Sequence, residues 1–194
     1  AASITHEWQV VDDIRDHMLY FLENHDEQRI ASDFFCGSAM KAIPAAAMSL
    51  FFQKNPFMLY SGQEFGEKGM DKEGFSGRDG RTTIFDYWSP STLAHAYQDS
   101  ADETLSAEQK YLAATYRQLL RLANEEKALR EGDTFDLMYV NPGSEGFDPR
   151  TNFAFLRKKD NEVMLIVLNF SQETRQLQVC IPGHAFDFFQ IKEE

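Results

Sequence analysis

Two short apolar runs, each followed at once by a polar loop, constrain the fold of this chain more than any other feature. The first run, residues 18–23, continues into Asn24-His-Asp-Glu-Gln-Arg29, and the second, residues 57–61, continues into the glycine-bracketed segment Gly62-Gln-Glu-Phe-Gly66. The first run is apolar on both sides of the pleat, which is typical of a parallel strand buried on both faces. Residues 38–54, between the two runs, carry apolar side chains at helical spacing. This order predicts a right-handed βαβ unit with both polar loops at the carboxyl ends of neighbouring parallel strands.

The rest of the first part of the chain is predicted to contain two further helices and a long loop. Residues 5–16 form a short apolar stripe of helical period. Residues 62–105 have no sustained period, and loops of this length in compact domains are usually functional. Ser106 is predicted to cap the next helix, with Gln109 completing a capping box. That helix is expected to end before Gly132.

After Gly132 the apolar pattern changes to a period of two, which predicts strands. The expected strands are residues 134–140, 152–157, 163–170 and 176–181, with a hairpin turn at 158–161. Residues 163–168 are apolar on both faces and favour a central strand of a sandwich, whereas 176–181 alternate as a one-sided strand does. We therefore predict two domains, residues 1–131 and 132–194, the second being all-β.

Composition excludes several classes of partner. The chain has 194 residues, 43% of them hydrophobic, which suffices for one or two globular domains. Its net charge of −12 argues against a nucleic acid or an anionic membrane as partner, since both need a cationic face. The two cysteines, Cys36 and Cys180, have no metal-ligand spacing, so neither a metal site nor a cofactor is predicted.

The two loops together resemble the α-amylase superfamily of glycoside hydrolases (glycoside hydrolase family 13). That family carries an Asn-His-Asp signature after its seventh barrel strand and a Tyr-x-Gly-x-Glu turn after its eighth. Here the matching segments are Asn24-His-Asp26 and Tyr60-Ser-Gly-Gln-Glu64. The resemblance implies an α/β fold: the C-terminal part of a (β/α)8 TIM barrel, residues 1–131, followed by an antiparallel β-sandwich, residues 132–194. Such a sandwich normally needs more residues than remain, so we expect the second domain to be truncated.

The resemblance also implies roles for individual residues. Asp26 is expected to be the carboxylate that stabilises the transition state, and His25 a hydrogen-bond partner of the same sugar. Asn24 and Arg29 are expected to support the loop and contribute to substrate binding. Tyr87 and Trp88, on the long loop, are candidates for stacking on substrate, and pinning that loop to the barrel is an equally good interpretation.

Two acidic residues near the second strand have a different interpretation. Glu64 and Glu67 lie where an acid catalyst could stand, but in the family this position is structural, and we follow that assignment. The family's nucleophile and general acid lie on earlier barrel strands. We therefore expect a fragment of a retaining enzyme that acts on an α-glucan or oligosaccharide and is inactive alone. The resemblance allows calcium in the complete protein.

An incomplete barrel would also expose strand edges, which predicts self-association or binding to the missing part of the barrel. Two alternatives stay open from the sequence. One is a non-catalytic carbohydrate-binding or scaffold module. The other is an unrelated α+β domain in which His25-Asp26 is only a capped turn, the commoner meaning of such a dipeptide on its own.

Overall fold

The two apolar runs pair in parallel, as predicted. The computed structural model describes residues 3–69, 79–82, 91–97 and 104–191. Strand β1 (Tyr20–Phe21) lies parallel to β2 (Phe57–Met58), with Tyr20 opposite Phe57. Helix α2 (Ile43–Phe51) connects them, preceded by a 3-10 turn at Ala39–Ala42. Pro44 lies in the first turn of α2, where its missing N–H costs no hydrogen bond.

Contacts divide the chain into two units. The parallel unit comprises Leu19–Ser49 and Pro56–Arg121, and the antiparallel unit comprises Ala1–Met18, Leu50–Asn55 and Leu122–Glu194. The domain boundary at residue 131 stays a prediction.

The core of the parallel unit forms where two helices meet the strand pair. Helix α4 (Ala107–Glu125) buries Leu112 and Tyr116 beside Ala46 of α2. Leu22 and Leu59, which follow the two strands, pack against this cluster. A shorter helix, α3 (Ser91–Ala96), precedes α4. The predicted capping box is confirmed, because the Ser106 hydroxyl accepts the Gln109 N–H and the Gln109 side chain accepts the Ser106 N–H.

The antiparallel unit contains α1 (Ile4–Val10), α5 (Lys127–Glu131), a three-stranded sheet and α6 (Gly183–Phe188). The sheet has the order β3 (Asp133–Asp136), β4 (Asn152–Lys159), β5 (Glu162–Asn169). The hairpin between β4 and β5 is confirmed, with Lys159 opposite Glu162. The core of the antiparallel unit is aromatic. The Phe52 ring packs edge to face against the Phe153 and Phe155 rings, at centroid distances of 5.4 and 5.0 Å.

A buried arginine fastens this unit internally. Arg157 on β4 is fully buried and donates to the carbonyls of Phe51, Leu129 and Gly132 at 2.7–2.9 Å. Two of these carbonyls lie at helix ends and lack a partner within the helix. Burial lowers the pKa of Arg157 to about 10.

Several predictions about elements were wrong in detail. Among the described residues the strand that contains 163–168 is at the edge of the sheet rather than central, and Val163, Leu165 and Val167 are 40–46% exposed. Residues 176–181 form no strand, and a helix, α6, follows them. The helix predicted over 5–16 ends at Val10. Within the described residues the antiparallel unit has one sheet, so a sandwich stays a prediction. No described helix is long and apolar enough to cross a membrane.

Candidate functional site

The candidate site is built on the ends of β1 and β2. Because the strands are parallel, the loop after β1 and the turn after β2 emerge at the same end. A direct contact joins them: Arg29 Nη2, from the first loop, donates to the Ser61 carbonyl at 2.7 Å. The predicted juxtaposition of these two segments at the carboxyl end of the strands is confirmed.

A buried ion pair holds the base of the first loop. Glu23, at the end of the first apolar run, accepts from Arg29 Nη1 at 2.8 Å and from the Ile30 N–H at 2.8 Å. Both side chains are about 2% exposed. The Arg29 guanidinium also lies 4.3 Å from the ring centroid of Tyr60, within cation–π range. The backbone of Arg29 is fixed as well, since its N–H donates to the Gly80 carbonyl at 2.7 Å.

Asn24 shapes the tip of the loop. Its side-chain oxygen accepts the N–H groups of Asp26 and Glu27 at 2.8 and 2.9 Å, closing a turn of the kind that asparagine favours. The predicted support of the loop by Asn24 and Arg29 is thus visible in its hydrogen bonds. Both terminal nitrogens of Arg29 already donate to protein groups, Glu23 and the Ser61 carbonyl. Direct contact between Arg29 and a substrate stays a prediction.

The tip presents His25 and Asp26 to solvent. Their side chains are 49% and 71% exposed, and His25 Nε2 lies 3.5 Å from Asp26 Oδ2. The carboxylate and the imidazole are therefore free to hydrogen-bond a ligand, while the backbone beneath them is fixed by buried contacts. Buried contacts therefore hold the base of the loop, while the two side chains at its tip face solvent.

The turn after β2 depends on two glycines in the left-handed region. Gly62 and Gly66 have φ of 90° and 70°. A Cβ on Gly66 would lie 3.0 Å from the Cβ of Ala39, so a side chain at this position would require Ala39 to shift. Glu67 follows, is 4% exposed, and accepts the Gly69 N–H at 2.9 Å. These contacts agree with the structural role predicted for this turn.

Burial perturbs the ionisable groups beneath the loops. Desolvation raises the pKa of Glu23, outweighing the opposing effect of Arg29, and the nearby Glu67 raises it further. Desolvation also raises the pKa of Tyr116 to about 12, although its hydroxyl accepts a hydrogen bond from Gln63 Nε2 at 2.9 Å. This interior is polar and only partly paired, because Gln63 Oε1, Glu64 Oε2 and Glu67 Oε2 are buried without a hydrogen-bond partner.

A cleft of about 510 Å³ opens in the same unit. It lies between the segment after the first loop, the turn after β2 and the start of α4. Its lining combines small, polar and aromatic residues: Ala31, Gly37, Ser38, Ala39, Phe65, Gly66, Lys68, Ser106, Glu108, Gln109 and Leu112.

Sequence reasoning missed some residues of the site, and others cannot be placed. Tyr87 and Trp88 lie outside the described residues, so their stacking role stays a prediction. Glu23 was overlooked, although an acid at the end of an apolar run, six residues before an arginine, is a detectable sign of a buried pair. Among the residues that the structure describes, no three His, Cys, Asp or Glu side chains gather as metal ligands do.

Solved structures share this fold, although no protein-family model and no curated protein match the chain. A variant of the trehalulose synthase MutB in complex with Tris matches at 20% identity with a TM-score of 0.52, over 89% of this chain and 38% of its own. A variant of isomaltulose synthase from Erwinia rhapontici NX5 in complex with D-glucose matches at 18% identity with a TM-score of 0.56, over 89% and 38%. AmyP in complex with maltose matches at 17% identity with a TM-score of 0.54, over 86% and 34%.

These likenesses establish the fold. The predicted resemblance to the α-amylase superfamily is confirmed at this level, because the matched structures are glycoside hydrolase family 13 enzymes. The chain spans 34–38% of the length of those enzymes.

Proposed function

We propose that this chain is the C-terminal part of a retaining glycoside hydrolase of the α-amylase type that acts on α-linked glucosides. It would supply the last strands of the (β/α)8 barrel and an antiparallel β-sandwich domain. The observation that carries the proposal is the position of Asp26: an exposed carboxylate at the carboxyl end of β1, on a loop that Arg29 ties to the turn after β2. In barrel enzymes this end of the strands carries the active site.

Asp26 would act by differential binding. A retaining enzyme uses one carboxylate as nucleophile and a second carboxyl group as general acid, about 5–5.5 Å apart. The ring of the bound sugar flattens as it becomes oxocarbenium-like, and its hydroxyls then move relative to the protein. A third carboxylate that hydrogen-bonds those hydroxyls more strongly in this geometry lowers the barrier. We assign this role to Asp26, with His25 binding the same sugar.

Glu23 and Arg29 would make this binding selective for the transition state. A carboxylate on a mobile loop adapts equally to the ground state, which lowers KM without raising kcat. The buried pair and the contact to Ser61 fix the loop before substrate arrives. Asn24 would keep the Asp26 backbone in its turn, and Tyr87 and Trp88 would stack on outer sugar rings.

The identity of the substrate is a proposal by analogy with the matched enzymes. The AmyP structure holds maltose and the isomaltulose synthase variant holds D-glucose. Both ligands fit an α-glucan or oligosaccharide as the substrate class. Sugar hydroxyls can hydrogen-bond to both exposed groups, because a carboxylate accepts a hydroxyl proton and an imidazole can donate to or accept from a hydroxyl.

The chain would need a complementary partner to act. In the described residues β1 pairs only with β2, and Leu19 and Phe21 are 49% and 42% exposed. In a closed barrel both edges of every strand are paired. We propose that the remaining barrel strands cover these side chains, and that the isolated chain self-associates instead.

The test is hydrolysis of an α-linked aryl glucoside by the chain alone. We expect no turnover above background, because the covalent chemistry needs the nucleophile and general acid of earlier strands. Turnover that Asp26→Asn abolishes would contradict the proposal and redirect the search to Glu64 and Glu67. Equal background rates for the wild-type chain and Asp26→Asn agree with it.

A further inference from the structure

The outer edge of β5, in the antiparallel unit, is open for pairing with another strand. Among the described residues β5 pairs only with β4. The segment that follows β5 bonds elsewhere: the Gln178 N–H donates to the Glu145 carbonyl at 2.8 Å, and the Cys180 N–H donates to the Asn141 side chain at 2.7 Å. No strand of the described part of the chain therefore covers this edge.

The alternation of hydrogen bonds along the hairpin shows which residues face the open edge. The Phe170 N–H donates to the Thr151 carbonyl at 2.8 Å, and in this register the even-numbered residues of β5 bond to β4. In an antiparallel pair, residues that bond to the neighbouring strand alternate with residues whose backbone groups point away from it. Val163, Leu165 and Val167 therefore direct their N–H and C=O groups to the open edge.

This edge lacks the features that usually prevent pairing between chains. Exposed strand edges are commonly protected by charged side chains, by proline or by a bulge. Residues 163–168 contain neither a charged residue nor a proline, and their register with β4 is continuous. The three side chains whose backbone groups face the edge are also apolar and 40–46% exposed. Both the backbone and the side chains of β5 thus suit a further strand.

We propose that β5 pairs antiparallel with β5 of a second copy of this chain, so that two three-stranded sheets join into one sheet of six strands. A twofold axis at the centre of the pair places Leu165 opposite Leu165 of the second copy, and Val163 opposite Val167. All three residues direct their backbone groups outward, so each facing pair exchanges two backbone hydrogen bonds. The twofold axis also keeps each face of the sheet continuous, which brings the apolar side chains of the two copies side by side.

Self-complementarity and charge favour a second copy as the partner. A twofold contact needs a surface that matches itself, and in this register every outward-facing residue meets another outward-facing residue. The chain carries a net charge of −12, but no like charges face each other along the strand, because Glu162 lies opposite Leu168 of the second copy. A stable interface buries about 800 Å² on each partner, and two strand edges offer less, so the dimer should dissociate on dilution.

A disulfide at the twofold axis tests the pairing and its register together. In Leu165→Cys the two thiols lie opposite each other, with Cα atoms about 5.5 Å apart, a separation that a disulfide spans. Val163→Cys is the matched control, since both side chains are 46% exposed but the two copies of residue 163 are offset by about 13 Å along the strands. Mild oxidation should shift Leu165→Cys from one chain to a covalent dimer on a non-reducing gel. Val163→Cys should stay at the level of the wild type, whose own Cys36 and Cys180 set the background.

A charge at the edge should separate the two copies. Light scattering is measured on the whole chain with Phe21→Lys, which removes the contribution of β1 to self-association. We expect the mass of two chains at high concentration, and the mass of one chain when Leu165→Lys is added, because two like charges would then lie directly opposite each other. Val10→Lys, which alters a 65% exposed residue of α1, should leave the dimer in place.

Three results would overturn the pairing. These are the mass of one chain for Phe21→Lys at every concentration, a dimer that persists after Leu165→Lys is added, and equal cross-linking of Leu165→Cys and Val163→Cys. The last would show that the chains meet without the proposed register. Thermal unfolding of each variant checks that the fold persists, and Val167→Lys provides a second charged variant if Leu165→Lys is unstable.

Discussion

Arg29 is the residue on which the geometry of the candidate site depends most. It pairs with buried Glu23, donates to the Ser61 carbonyl and lies against the Tyr60 ring. A buried ion pair stabilises little compared with apolar residues of the same shape. Removing one partner of the pair is costly, because the other partner is left as an uncompensated charge in the interior.

Arg29→Met is therefore expected to lower the free energy of unfolding by about 3–5 kcal/mol. Urea unfolding followed by circular dichroism measures this. Arg150→Met is the matched control: Arg150 also pairs with a carboxylate, that of Asp148, but its side chain is 84% exposed. Exposed pairs contribute far less to stability than buried ones, so the control should lose much less than Arg29→Met does.

The double variant Glu23→Leu/Arg29→Met tests the cause. If the cost comes from an unpaired buried charge, the double variant should be more stable than Arg29→Met alone. If Arg29→Met and Arg150→Met lowered the free energy of unfolding equally, the Glu23–Arg29 pair would not be what holds the loop.

The burial of Glu23 should make the free energy of unfolding depend on pH. Its pKa is raised above the ordinary value of 4.5, chiefly by desolvation. The folded state then binds a proton more readily than the unfolded state does. The contribution of Glu23 to stability consequently decreases as pH rises from 4.5 through the folded pKa.

Glu23→Gln removes this titration. From about pH 5 to about pH 8, the free energy of unfolding of the wild type should fall relative to that of the variant. Urea titrations at several pH values give this difference. A wild type that instead gains relative stability with rising pH would show that Arg29 outweighs desolvation and lowers the pKa.

At the scale of elements, the turn after β2 depends on glycine. Gly66 has φ of 70°, and an added Cβ would meet Ala39 at 3.0 Å. We expect Gly66→Ala to lower the free energy of unfolding by about 1–3 kcal/mol, combining backbone strain with the close contact. Gly143→Ala is the control, because nothing lies within 4 Å of its added Cβ and its φ is not positive. Equal effects of the two substitutions would show that the Gly66 turn is not constrained.

Local signals predicted several elements correctly. The Ser106 and Gln109 capping box depends only on residues three apart, and the β4–β5 hairpin on a turn between two strands. The parallel β1–β2 pair followed from the two apolar runs and the helix between them. The capping box and the hairpin depend on neighbouring residues, whereas the parallel pair joins Tyr20 to Phe57 and was predicted from the order strand, helix, strand.

Long-range packing decided the elements that were predicted wrongly. The pattern of β5 predicts a strand but not its place in the sheet, and an apolar run on both faces does not exclude a half-exposed edge. Residues 176–181 alternate as a strand does, yet their hydrogen bonds go to the turns around Asn141 and Glu145. The exposed tip residues His25 and Asp26 were predicted from a family motif, whereas the buried Glu23–Arg29 pair was overlooked although its spacing in the sequence is a detectable sign.

At the scale of the whole molecule, the exposed side chains of β1 predict self-association of the isolated chain. Light scattering coupled to size-exclusion chromatography should give a mass above that of a monomer at high concentration. Phe21→Lys should shift the mass toward the monomer, because it places a charge on the exposed strand. Tyr97→Lys, which alters a 73% exposed residue elsewhere, should not. A strictly monomeric wild type at all concentrations would contradict this expectation.

We propose that Asp26 stabilises the transition state of a complete enzyme, and kcat/KM of Asp26→Asn in a protein that joins this chain to the other barrel strands measures this role. We expect a loss of about 10²–10³-fold, mostly in kcat, as when one preorganised group at a reacting centre is removed. Asp33→Asn, an exposed aspartate of the same segment, should stay within about twofold of wild type. A kcat/KM of Asp26→Asn equal to that of Asp33→Asn would contradict the account.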